Sequence, residues 1–154
     1  MIRLAIVLLA IFFNQSITYA SEPILFSKSD TYERFLYSDI KIKKGIASFW
    51  VLDNYFKPEI TNKKIYMSEI THIIADCVDE KISSDQYVSY EKKFANGKII
   101  DSGNIDSSFR NYVPGSIGES TYKIGCNKDH RLRVMNENNA EKYFQETIYN
   151  ALSD

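Results

Sequence analysis

The fifteen residues YVPGSIGESTYKIGC, Tyr112 to Cys126, carry more local instruction than any other part of the chain. Pro114 and Gly115 stop whatever strand precedes them. Ser116 then stands three residues before Glu119, the spacing at which a serine side chain caps the Glu119 amide and the carboxylate returns a bond, a capping box. A short helix is therefore predicted, and it ends on Cys126. The chain holds one other cysteine, Cys77, at the end of the β-branched run IYMSEITHIIADCV, Ile65 to Val78.

That pairing depends on the compartment, and the amino terminus speaks to it. Arg3 precedes the apolar run LAIVLLAIFF, and Thr18 and Ala20 supply small residues at the cleavage positions. Residues 1–20 are predicted to be a signal peptide, cut after Ala20. The apolar run is about half of the ~20 residues a membrane span requires, and no cysteine follows it to carry a lipid anchor. The mature chain is thus expected to be exported and without membrane span or lipid anchor. In an oxidising compartment two cysteines most simply form a disulfide. A redox pair or a metal site is the competing reading. Against these, there is no C-x-x-C, and His72 and His130 are the only histidines to complete a site.

Residues 21–154 read as one domain, with no repeat, linker or low-complexity segment. TYERFLY (Thr31 to Tyr37) reads as a strand, and SDIKIKKG as a turn into the next. IASFWVLDNYF (Ile46 to Phe56) has apolar side chains on both faces, so it is buried on both sides or covered by a helix on one. Pro58 and Asn62 mark a loop. Asn96-Gly97, between the alternating runs of QYVSYEKKFANGKIID, signals a hairpin closed by a two-residue turn. The apolar stripe Ala140, Tyr143, Phe144, Thr147, Ile148, Ala151 and Leu152 predicts a C-terminal helix, capped by Asn138 and Glu141. KDHRLRV, Lys128 to Val134, reads as a solvated strand or loop. Strands first and helices last define an α+β protein, an antiparallel sheet packed on one face by helices.

This arrangement resembles the surface-adhesin protein E-like domain of bacterial envelope proteins. The residues that carry the resemblance are SFWVLDNY (Ser48 to Tyr55), ADC (Ala75 to Cys77), NGKIIDS (Asn96 to Ser102) and VPGSIGE (Val113 to Glu119) before Cys126. It covers roughly Tyr32 to Cys126, leaving residues 127–154 outside. It implies the sheet backed by a helix, with Cys77 and Cys126 bonded. It also implies an adhesin-like role in which the partner is a host matrix glycoprotein. All the matched positions are fold positions, so they identify no ligand-binding residue.

Composition narrows function by exclusion. The net charge is −1 at pH 7, and loss of Arg3 makes it one unit more negative, which argues against a nucleic-acid partner. Eleven Tyr and nine Phe suit aromatic cross-strand pairs and a protein-recognition surface. The expected partner is a protein, docking on the sheet face opposite the helices or on a free edge. The alternative is a periplasmic protein-binding module, an inhibitor or assembly factor. No cofactor and no catalytic residues are expected. His72 reads as a packed histidine, Asp76 as a carboxylate bonding strand-end amides. Ser116 lacks the spacing of a nucleophile elbow and reads as a cap.

Overall fold

A computed structural model describes residues 22–152, with side chains as far as residue 142. The expected signal peptide, and the side chains of Tyr143, Phe144, Thr147, Ile148, Ala151 and Leu152, lie outside the described residues; Ala140 is exposed. Seven strands precede two helices: β1 (Ile24–Lys28), β2 (Tyr32–Leu36), β3 (Lys41–Lys43), β4 (Ile46–Thr61), β5 (Lys64–Asp76), β6 (Lys81–Tyr90), β7 (Ile99–Asn104), α1 (Ile117–Cys126) and α2 (Lys128–Leu152). The sheet is antiparallel in the order β1-β2-β4-β5-β6-β7, with β3 beside the first part of β4. This is the α+β architecture that the strand and helix order predicts.

The apolar character of β4 on both faces has two separate causes. Ala47, Phe49 and Val51 point towards the helices and pack with Leu36, Ile73 and Ala75 against Ile124 of α1 and Val134 of α2. Leu52 points the other way and joins Phe35 and Ile70, with Trp50 and Ala95 packed against them. Full burial of side chains such as Phe49 and Leu52 is worth about 1.5–3 kcal/mol each. Gly125 allows α1 to come this close, because a Cβ there would stand 2.6 Å from the Phe49 ring. The disulfide joins Cys77, just past β5, to Cys126, the last residue of α1, with 5.4 Å between their Cα atoms.

Ser116 is the N-cap of α1, accepting from the Glu119 amide at 3.3 Å. The returned bond departs from the expected box: the Glu119 carboxylate accepts from the Gly115 amide at 2.7 Å, while the Ser116 amide donates to the Val113 carbonyl. Gly115 has φ +77°, a turn geometry in which a side chain is strained.

Further local expectations are corrected. SDIKIKKG is more than a turn, since Lys41–Lys43 pairs with the first part of β4 as β3. The strand β4 runs through Pro58 to Thr61, because the register shift between Asn54 and Glu59 leaves no ladder bond for proline to break. Two-residue turns with both central residues left-handed do occur, but at Lys44-Gly45 between β3 and β4 (φ 52° and 80°) and at Asn62-Lys63 between β4 and β5 (φ 51° and 65°). By contrast, β6 and β7 do form a hairpin, but through the longer connection 91–98, in which Phe94, Ala95 and Gly97 have positive φ. Tertiary bonds override the Asn-Gly turn here. Buried Asn54 accepts from the Phe94 amide, and buried Ser68 donates to the Lys92 carbonyl and accepts from the Ala95 amide. Folded back in this way, the connection roofs Phe35, Leu52 and Ile70.

The other two corrections concern α2. Asn127 closes α1 through its amide and caps α2 through its side chain, which accepts from the His130 amide at 2.9 Å. With no Gly or Pro to break it, residues 128–142 simply continue as helix, so KDHRLRV is helical. Asn138 is therefore interior to α2 and not a cap. Its amide nitrogen donates to the Leu25 and Val134 carbonyls at 2.9 and 2.8 Å, tying α2 to the edge strand β1.

Candidate binding cleft

The strand register builds a polar row across the sheet. Arg34 is opposite Asp53, Asp53 opposite Glu69, Glu69 opposite Ser89 and Ser89 opposite Asp101, so five strands contribute one residue each. Directly opposed residues share a face, so this row belongs to the same side of the sheet as the helices. The Arg34 guanidinium confirms the side: Nε and Nη2 reach the two Asp53 oxygens at 2.6 Å each, and Nη1 donates to Thr121 Oγ1 of α1 at 3.0 Å. Thr121 in turn donates to the Ile117 carbonyl at 2.7 Å. The Arg34 and Asp53 side chains are 16% and 6% exposed, so the pair is a buried one.

Arg34, Asp53 and Glu69 of this row lie on the floor of a cleft of about 520 Å³, walled by residues 105–111 and by Ile82 to Ser84. Its aromatic side is a ladder of tyrosines. Tyr32 lies 5.5 Å from the Arg34 guanidinium and 5.5 Å from the Tyr55 ring, and Tyr66 meets Tyr55 edge-on at 5.6 Å. A second hollow of about 270 Å³ continues it past Glu69 and Ile105, where Tyr87 donates to Asp101 and Lys64 pairs with Asp101 at 2.6 Å. Burial, the charge of Asp53 and that of Glu69 raise the Tyr55 hydroxyl far above its ordinary value. It therefore stays a neutral donor at any physiological pH.

Glu69 is the group of the row whose carboxyl is raised. Burial raises its carboxyl above the ordinary 4.5, a Ser89 hydrogen bond opposes the rise, and the charge of Asp53 adds to it. The folded state thus holds the Glu69 proton more tightly than the unfolded chain does. That contribution to stability is complete below pH 4.5 and is lost as pH rises through the raised folded value. Glu69→Gln is expected to be more stable than the native protein at neutral pH and equal to it below that window, measured by urea denaturation across the range. Parallel curves over the whole pH range would refute the assignment.

The residues singled out in the sequence sit elsewhere. Pro114 and Gly115 form the turn before α1, Glu119 lies in its first turn, and Ser116 is occupied as its cap. Asp76 accepts from the Val78 and Asp79 amides at 2.9 and 3.0 Å, and these bonds hold its carboxyl below the usual value. His72 is half-buried in the middle of β5, on the opposite face of the sheet. It is bonded through both ring nitrogens, to Ser48 and to Asp85. The cleft residues were missed because each is an ordinary polar residue in its own strand. Alternation around Asp53 was the available signal, since it continues the inward-facing series Ala47, Phe49 and Val51.

The cleft faces the helix side of the sheet, whereas the sequence pointed to the opposite face or an edge. That opposite face is partly occupied by the 91–98 connection. The family model described as surface-adhesin protein E matches residues 27–127, which end one residue past Cys126. Two solved structures share the fold. The crystal structure of protein E from non-typeable Haemophilus influenzae has a TM-score of 0.53 at 14% identity, covering 76% of this chain and 90% of that one. The selenomethionine form of Haemophilus influenzae protein E gives 0.51 at 13%, covering 68% and 92%. No curated protein sequence matches the chain.

Proposed function

Because the chain belongs to the surface-adhesin protein E family, we propose that it is an exported, adhesin-like module that binds a protein partner, a host extracellular-matrix glycoprotein, in the tyrosine cleft. The observation that carries this reading is the cleft itself: Tyr32, Tyr55, Tyr66 and Tyr87 beside polar groups already held by Arg34, Glu69 and Asp101. Tyrosine offers a large rigid contact area and a hydroxyl, with two side-chain torsions to freeze, which favours protein recognition. Most polar groups of the floor are satisfied within the protein, so a partner gains contact there without first breaking ion pairs. A disulfide and the absence of a helix long and apolar enough to cross a membrane, among the described residues, accord with export.

The test immobilises the disulfide-bonded protein and measures binding of matrix glycoproteins, with an envelope lysate in parallel. Saturable binding of a matrix glycoprotein is expected, and Tyr87→Ala together with Tyr32→Ala should weaken it by at least about tenfold, the scale of an interface hot spot. Binding that is unaltered by both substitutions would remove the cleft from the reading. Capture of an envelope protein alone would replace adhesion with the periplasmic role.

A further inference from the structure

On the sheet face opposite the helices, three adjacent strands bring together a serine, a histidine and an aspartate. Ser48 Oγ of β4 lies 2.9 Å from His72 Nε2 of β5, and His72 Nδ1 lies 2.7 Å from Asp85 Oδ1 of β6. We propose that Ser48 is a histidine-activated nucleophile that hydrolyses small, activated carboxylic esters, a function separate from the binding cleft.

Three features go beyond a chance hydrogen-bonded row. First, the sheet register shifts at this point: His72 pairs with Gln86 and Ile73 with Ser84, so Asp85 is the extra residue of a bulge. A bulge re-aims a side chain, and here it turns the carboxylate onto His72. Second, the hydrogen-bond arrangement suits a general base. With Nδ1–H donated to the Asp85 carboxylate, a neutral imidazole presents its Nε2 lone pair to the Ser48 hydroxyl. Third, all three side chains stand on rigid strands and remain partly exposed, His72 at 19% and Asp85 at 32%.

The surroundings supply what the reaction needs next. Lys41 of β3 is directly opposite Ser48 in register, so its ammonium is within reach of negative charge developing on a carbonyl oxygen. The Trp50 ring lies 4.8 Å from the His72 ring and offers a flat apolar wall to an aryl or short acyl group. In the first half-reaction Ser48 Oγ attacks the ester carbon and its proton passes to His72. The C–O bond to the alcohol breaks, and the alcohol leaves with that proton. Water then attacks the acyl-serine and gives a proton to His72. The acid departs, and Ser48 recovers the proton.

The probes are a fluorophosphonate and p-nitrophenyl acetate, used on the disulfide-bonded protein. One phosphonyl group is expected on Ser48, located by peptide mass, and Ser48→Ala should lose both labelling and turnover while melting at the native temperature. His72→Gln should slow labelling by about a hundredfold, the usual contribution of a general base. Asp85 acts through His72 as a positioning residue. Asp85→Asn should therefore lower kcat with KM and melting temperature unchanged. Absence of label on Ser48, equal labelling in His72→Gln, or turnover persisting in Ser48→Ala would each overturn the proposal.

Discussion

Asp53→Ala is expected to lower the unfolding free energy by about 3–5 kcal/mol, the usual cost of breaking a buried ion pair from one side. Asp53 is 4% exposed, and its two oxygens take two of the Arg34 nitrogens. Removing the carboxylate strands the Arg34 guanidinium in a low-dielectric site, where, among the described residues, the bond that remains is to Thr121. Against a typical net stability of about 5–15 kcal/mol, such a loss brings the protein near its unfolding threshold. The double variant Arg34→Met/Asp53→Leu separates the two contributions. Replacing both partners removes the desolvation cost along with the attraction, so the double variant should recover most of the loss and, on the same precedent, match or exceed the native protein. Urea denaturation of the three proteins decides it. A loss under about 1 kcal/mol in Asp53→Ala would place the pair among exposed ones, whose contribution is small.

The second large effect concerns Cys77 and Cys126. Their bond closes a loop with a sequence separation of 49, for which the chain-entropy account gives about 4 kcal/mol. Cys77→Ala/Cys126→Ala should therefore unfold at a much lower denaturant concentration than the native protein. Native protein treated with reductant should move to the same midpoint, and reductant should leave the double variant unchanged. The bond ties the end of α1 to the end of β5, close to where Gly125 meets Phe49. Its loss releases the helix that supplies Ile124 to the core and Thr121 to Arg34. A midpoint unaffected by both removal and reduction would show that packing alone secures the helix.

Comparison of particular elements shows why some features were legible and others not. The cap at Ser116 and the helix ending on Cys126 depend on residues within four positions of one another, so the sequence displays them directly. The two apolar faces of β4 are visible as composition, and the strand-then-helix order yields the fold class. Local signals failed where a distant group outbid them. Asn96-Gly97 has the chemistry of a two-residue turn, yet Asn54 and Ser68 hold the 91–98 connection in a different shape. Asn138 looks like a cap because caps are asparagines, but Asn127 has already started α2, and Asn138 is spent on the Leu25 carbonyl.

The sequence by itself determined the class, the placing of strands before helices, the capped helix and the pair of cysteines available to anchor it. All of these follow from short-range periodicity, capping chemistry and cysteine number. Register was decided only in three dimensions. Shifting one strand by a single residue would turn Asp53 or Glu69 to the other face and dissolve the row from Arg34 to Asp101. Ser48, His72 and Asp85 likewise converge only because β4, β5 and β6 are neighbours and β6 carries one extra residue at Asp85. Strand pairing is set by the sum of many weak contacts across the sheet, and no local stretch of the chain contains that sum.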